Sequence, residues 1–119
     1  MSDQVDSPGK QMVMGFLSAF CEGRFDDLAH LLAEDFHFEG PLLNTDSRSA
    51  YLAALKAEPH QAVNFEVLHM IEEQGVVCAV YRFEEGPLQY PLVQVFLFAA
   101  GYITKSMLVS HLTNTLPIR

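Results

Sequence analysis

Any chemistry in this chain has to come from a few side chains: five histidines, two cysteines, fifteen carboxylates, and scattered polar residues among apolar ones. His37 and Glu39 alternate with Phe36 and Phe38, so the two polar residues share one face of a strand. A histidine so placed can serve as a general base with the carboxylate orienting it. A surface or interface ion pair has the same pattern. His30, His37, His60, His69 and His111 form neither an HxH nor an HExxH cluster, and no Cys–His spacing resembles a zinc site, so no metal site is expected. Cys21 and Cys78 each lie in an apolar stretch and read as buried reduced thiols. The acidic pairs Asp26-Asp27, Glu34-Asp35, Glu72-Glu73 and Glu84-Glu85 fall where helices start or turns are expected, and read as caps and turn charges.

The elements that would position these groups follow from length and periodicity. At 119 residues, half of them hydrophobic and 18% charged, the chain makes one globular domain that needs no metal or disulfide staple. Seven basic against fifteen acidic residues give a net charge of −8, which opposes binding to a phosphate backbone. No apolar run reaches the roughly 20 residues of a spanning helix. The N-terminus lacks a basic-then-apolar signal, so a cytoplasmic location is expected.

Residues 1–9 are polar and read as a flexible tail, leaving 10–119 as the domain. Val13, Phe16, Leu17, Phe20 and Cys21 paint one helical face, and Gly23 ends that helix. Phe25, Leu28, Leu31 and Leu32 make a second, shorter helix. Phe36–Glu39 is a strand closed by Gly40-Pro41, and Ser47 caps a third helix in which Tyr51, Leu52 and Leu55 share a face. From Val63 the period falls to two. Strands are expected over 63–71, 76–83, 88–98 and 102–112, with Pro91 marking an edge or bulge. The order predicts an α+β fold, with three N-terminal helices packed on a curved, mainly antiparallel sheet. Phe16, Phe20, Leu28 and Leu55 are expected to point into that sheet.

Three stretches carry a resemblance. They are Phe20-Cys21-Glu22-Gly23-Arg24-Phe25-Asp26-Asp27-Leu28, then Leu32-Ala33-Glu34-Asp35-Phe36-His37-Phe38-Glu39-Gly40-Pro41, and finally Phe96-Leu97-Phe98 through Gly101 to Ser106-Met107. Their order and spacing resemble the nuclear-transport-factor-two-like superfamily, the SnoaL-like and ketosteroid-isomerase-like cone folds, over Met12 to about Thr113. That fold hosts isomerases, cyclases, dehydratases, hydrolases and plain binding modules, so it does not fix an activity. A ketosteroid-isomerase-like site uses a carboxylate base at the end of the first strand, with a tyrosine and a protonated aspartate as donors. The resemblance puts Gly40 at the base, Phe16 at the tyrosine and Gln94 at the second carboxylate. Gly40 can take no proton and Phe16 can donate none, so that machinery is expected to be absent.

If the later strands alternate as in the family, Tyr81, Phe83, Gln94, Phe96, Met107, Val109 and His111 face the interior, beside Phe16, Phe20 and Phe38. Such walls suit a small-molecule pocket and suit a filled core equally. Gln94, Tyr81 and His111 can orient one polar group of a ligand, or be satisfied by backbone and water. Two functions remain open. One is a small apolar-ligand-binding protein or cofactor-independent enzyme of the SnoaL-like type. The other is a non-catalytic dimerisation or protein-interaction domain. Val76, Cys78 and Val80 alternate with Val77, Ala79 and Tyr81, leaving both faces of that strand apolar; a homodimer through the outer sheet face is therefore expected. Nothing in the pattern decides between catalysis and binding alone.

Overall fold

The computed structural model of the chain describes residues 7–41, 43–57, 64–85 and 88–110. Ser7 starts the first helix: its hydroxyl accepts from the Lys10 backbone N–H at 3.1 Å, and Pro8 takes the first helical position, where no N–H is needed. Helix α1 thus spans Pro8–Glu22, and two residues of the expected tail are helical. Gly23, at φ 72°, closes it in the left-handed conformation that favours glycine. Helix α2 spans Phe25–Leu31. Leu32, read above as helical, instead opens strand β1 (Leu32–Glu39), so Glu34 and Asp35 are exposed strand residues and not turn charges.

A two-residue strand, β2 (Asn44–Thr45), follows, and α3 spans Arg48–Ala57 with Ser47 Oγ accepting from the Ala50 N–H at 3.1 Å. Then come β3 (Asn64–Glu73), β4 (Val76–Glu85), β5 (Leu88–Ala99) and β6 (Tyr102–Ser110). The sheet order is β2-β1-β6-β5-β4-β3, antiparallel throughout except that β1 runs parallel to β6. Pro91 sits without a bulge opposite Arg82, one residue beyond the last described β5–β6 pair, Leu92 with Ser110, so its missing N–H breaks no described rung.

Register shifts in β1–β6, β3–β4 and β5–β6 bend the sheet, and the helices pack on its inner face. Val13, Phe16 and Leu17 of α1, Leu28 of α2 and Tyr51 of α3 meet Phe36, Val77, Ala79, Phe96 and Ile103 in one buried cluster. Phe20 and Leu55 pack against it while only partly buried. No helix among the described residues is long and apolar enough to cross a membrane.

Candidate functional site

Strand alternation turns Tyr81 of β4 and Gln94 of β5 to the inner face, and both are nearly fully buried, at 2% and 3% exposure. Ala79 pairs with Gln94 and Tyr81 with Leu92, so Tyr81 and Gln94 are diagonal neighbours. Ser106 of β6 continues the diagonal, because Phe96 pairs with Ser106 and Gln94 with Leu108. The Tyr81 hydroxyl donates to Gln94 Oε1 at 2.7 Å, and Gln94 Nε2 donates to Ser106 Oγ at 2.7 Å. This neutral chain crosses three strands beneath the helices.

Above it lies a cavity of about 100 Å³. Phe16, Leu17 and Phe20 of α1 form one wall, Tyr51 and Leu55 of α3 another, and Phe38 and Leu43 close the β1 side. Tyr81, Phe83, Gln94 and Leu108 form the floor. Aromatic stacking sets the shape: Phe16 and Phe20 lie 6.4 Å apart and nearly parallel, and Phe20 stacks on Phe83 at 5.9 Å. The volume is far below the roughly 300–1,000 Å³ of drug-sized pockets and near the roughly 150 Å³ that accommodates benzene. The interior is neither wide open nor filled.

Phe96 is buried but is packing, its ring edge-on to Phe16 at 5.2 Å and away from the cavity lining. Met107 and Val109 are corrections. Leu97 pairs with Lys105 and Phe98 with Ile103, leaving Thr104 as an extra residue whose hydroxyl donates to the Leu97 carbonyl at 3.2 Å. That bulge reverses the parity of β6, so Ser106 and Leu108 turn inward while Met107 turns outward and Val109 is 61% exposed. His111 lies outside the described residues. Sequence reading left Leu17, Leu43, Tyr51, Leu55 and Leu108 out of the lining and Ser106 out of the polar chain: Leu17, Tyr51 and Leu55 read only as apolar helix faces, and Ser106 and Leu108 turn inward only once the bulge is known.

Gly40 is packed beneath an aromatic ring. A Cβ there would sit 2.8 Å from Phe38 Cε2, so the Phe38 ring fills the space a side chain at 40 would need. His37 and Glu39 project from the opposite face of β1. His37 Nδ1 contacts Asp46 at 2.9 Å and Nε2 contacts Glu39 at 3.2 Å, with Lys105 Nζ 3.9 Å from Glu39. This is a surface ion-pair cluster away from the cavity.

Burial lifts the Tyr51 phenol well above its ordinary value of 10.0, and burial followed by the nearby Tyr51 and Cys21 lifts Tyr81 likewise. Burial, then Glu22, pushes the Cys21 thiol up to about 11. Both phenols therefore stay protonated as hydrogen-bond donors, and Cys21 is no thiolate nucleophile at neutral pH. No carboxylate or imidazole of the described residues lines the cavity, so what these groups supply is orientation and hydrogen bonding. No cluster of three or more His, Cys, Asp or Glu among the described residues fits a metal ion.

Comparison with known proteins agrees with this architecture. An NTF2-like protein of unknown function from Cytophaga hutchinsonii superposes with a TM-score of 0.77 at 20% identity, covering 98% of this chain and 100% of that one. A putative SnoaL-like polyketide cyclase from Jannaschia gives 0.79 at 13% identity, covering 98% and 94%. An LEH-like epoxide hydrolase of M. tuberculosis gives 0.75 at 18%, covering 89% and 84%. At these identities the likeness is one of fold. No curated protein matches the chain by sequence. The model of the SnoaL-like domain matches residues 13–106, which takes in every wall of the cavity except Leu108, and by that match the chain belongs to the SnoaL-like family, within the nuclear-transport-factor-two-like superfamily.

Proposed function

We propose that the chain binds a small, largely apolar molecule in the cavity between α1, α3 and the sheet, as a binding protein or as an enzyme that works without a cofactor. The observation that carries this is the buried Tyr81–Gln94–Ser106 chain at the floor of an aromatic-walled space. A core that only needed filling has no use for three polar side chains in a row, since apolar residues of the same shape would serve at no cost in stability. The relatives described as a polyketide cyclase and an epoxide hydrolase act on organic molecules without requiring that this chain do the same chemistry. Gly40 and Phe16 leave the isomerase roles of base and tyrosine unfilled, so isomerisation of ketosteroids is not the activity.

The outer sheet face supports a homodimer in the same reading. Ile71 and Val109 are 63% and 61% exposed there, and Val76 is 37% exposed, an apolar surface that a second copy would cover. A non-catalytic interaction domain would use that face alone and leave the cavity without a ligand. No disulfide joins Cys21 to Cys78, in keeping with a reducing, cytoplasmic setting.

Thermal-shift titration and native mass spectrometry against small carbonyl and aromatic compounds test the proposal. A raised melting temperature and a retained ligand are expected. A complete absence of shift across monocyclic compounds overturns it in favour of the interaction domain.

A further inference from the structure

Three aromatic rings stand nearly parallel along one side of the cavity. Phe16 and Phe20 lie one turn apart on α1, with ring centroids 6.4 Å apart and planes 3° from parallel. Phe20 then stacks on Phe83 of β4 at 5.9 Å and 11°. All three line the cavity. The Phe20 ring therefore fills a slot between two flat faces, and that slot opens onto the cavity.

The two faces are held from behind. Phe16 is 2% exposed, with its ring edge-on to Phe96 at 5.2 Å and against Tyr51 at 6.5 Å. Phe83 is edge-on to Tyr81 at 5.3 Å and pairs across the sheet with Phe65, which packs on the core. Phe20 is only half-buried, in the last turn of α1 before the Gly23 cap. Removing its ring leaves both faces standing, whereas removing Phe16 opens the core. Offset parallel stacking at these spacings accepts a planar ligand ring as readily as a phenylalanine ring.

We propose that Phe20 is the specificity-determining residue of the cavity: its ring stands where a ligand's second ring would lie and restricts the occupant to one. The proposal rests on the ligand-binding reading above and adds to it an upper limit on the ligand's size. The cavity of about 100 Å³ leaves room for a single ring beside the stack. A fused two-ring molecule carries more apolar surface and binds more tightly wherever it fits. A preference for the smaller molecule therefore reports a steric limit.

Benzene and naphthalene are the test probes, alike in chemistry and differing by one fused ring. Their dissociation constants are measured for the wild type, Phe20→Ala and Phe20→Leu, and the proton shifts of bound naphthalene are followed by NMR. The wild type is expected to bind benzene about tenfold more tightly than naphthalene, the scale of steric discrimination in an apolar pocket. Phe20→Ala is expected to reverse that preference, with the naphthalene protons moved upfield by the faces of Phe16 and Phe83. Phe20→Leu keeps apolar bulk at this position and is expected to fall between the two. If the wild type binds naphthalene more tightly, or the ratio is the same in all three proteins, Phe20 sets no limit and the ligand-binding reading stands. A wild type that binds neither probe overturns both. Should Phe20→Ala fail to fold, the wild-type ratio and its change in Phe20→Leu decide.

Discussion

Tyr81 and Gln94 are diagonal neighbours across β4 and β5, joined by a 2.7 Å hydrogen bond from the phenol to the amide oxygen inside the curve of the sheet. Neither carries charge, and burial keeps the phenol protonated. The pair therefore sets a fixed, neutral polar point in an apolar chamber, suited to orienting a ligand and unsuited to removing a proton from one.

Gln94→Leu is expected to cost about 1–3 kcal/mol for each hydroxyl it orphans, those of Tyr81 and Ser106, while leaving the fold intact. The triple replacement Tyr81→Phe, Gln94→Leu, Ser106→Ala removes all the partners together and is expected to recover most of that loss. Urea denaturation of the two proteins measures both terms. A triple variant no more stable than the single one would mean that the chain is not the source of the cost.

Tyr81, Phe83 and Gln94 were legible in the sequence because β4 and β5 alternate without interruption from Val76 opposite Leu97 to Glu85 opposite Leu88. The same rule failed one strand later. Thr104 looks like any other strand residue, and only its lack of a partner on β5 reverses the inward set from Met107 and Val109 to Ser106 and Leu108. The helical face containing Tyr51 was equally plain, but its place in the cavity wall is a tertiary property that no local spacing carries. The helix of Pro8 and Gly9 depended on a cap at Ser7 that polar composition hid.

Gly40→Asp would place a carboxylate where the isomerase-like pattern has its base. It is expected to lower stability by about 1–3 kcal/mol, because the new Cβ sits 2.8 Å from the Phe38 ring, and that ring is pinned against Tyr51. It is not expected to create ketosteroid turnover, since Phe16 supplies no donor and a cavity of about 100 Å³ holds no four-ring substrate. Spectrophotometric assay of a Δ5-ketosteroid with the wild type and this variant checks both points. Turnover by either would show that the interior opens far more widely.

A dimer through the outer sheet face should respond to charge placed on it. Val109→Lys and Ile71→Lys alter side chains that are 61% and 63% exposed, so the monomer loses little by either change. Light scattering is expected to return twice the 13.3 kDa chain mass for the wild type and a single chain mass for the double variant. A wild-type monomer at micromolar concentration would sink the dimer.

Stability should fall with rising pH, and Cys21 should account for the onset. The thiol ordinarily ionises near 9.0, but burial, with Glu22 adding to it, pushes it up to about 11 in the folded chain. Between those values the unfolded chain has released a proton that the folded chain still holds. The unfolded state then binds fewer protons, so the stability of the fold declines as pH rises. The contribution is fully present below pH 9.0 and lost by about 11, and two pKa units correspond to about 2–3 kcal/mol. Tyr51 and Tyr81, raised by burial from 10.0, prolong the decline above that pH. Urea midpoints at neutral pH and at successive values up to 11 are expected to be level and then to drop. Cys21→Ala lowers the plateau by leaving a small cavity, yet it removes the first part of the slope. Equal slopes for the two proteins between pH 9 and 10 would show that Cys21 is not the group responsible.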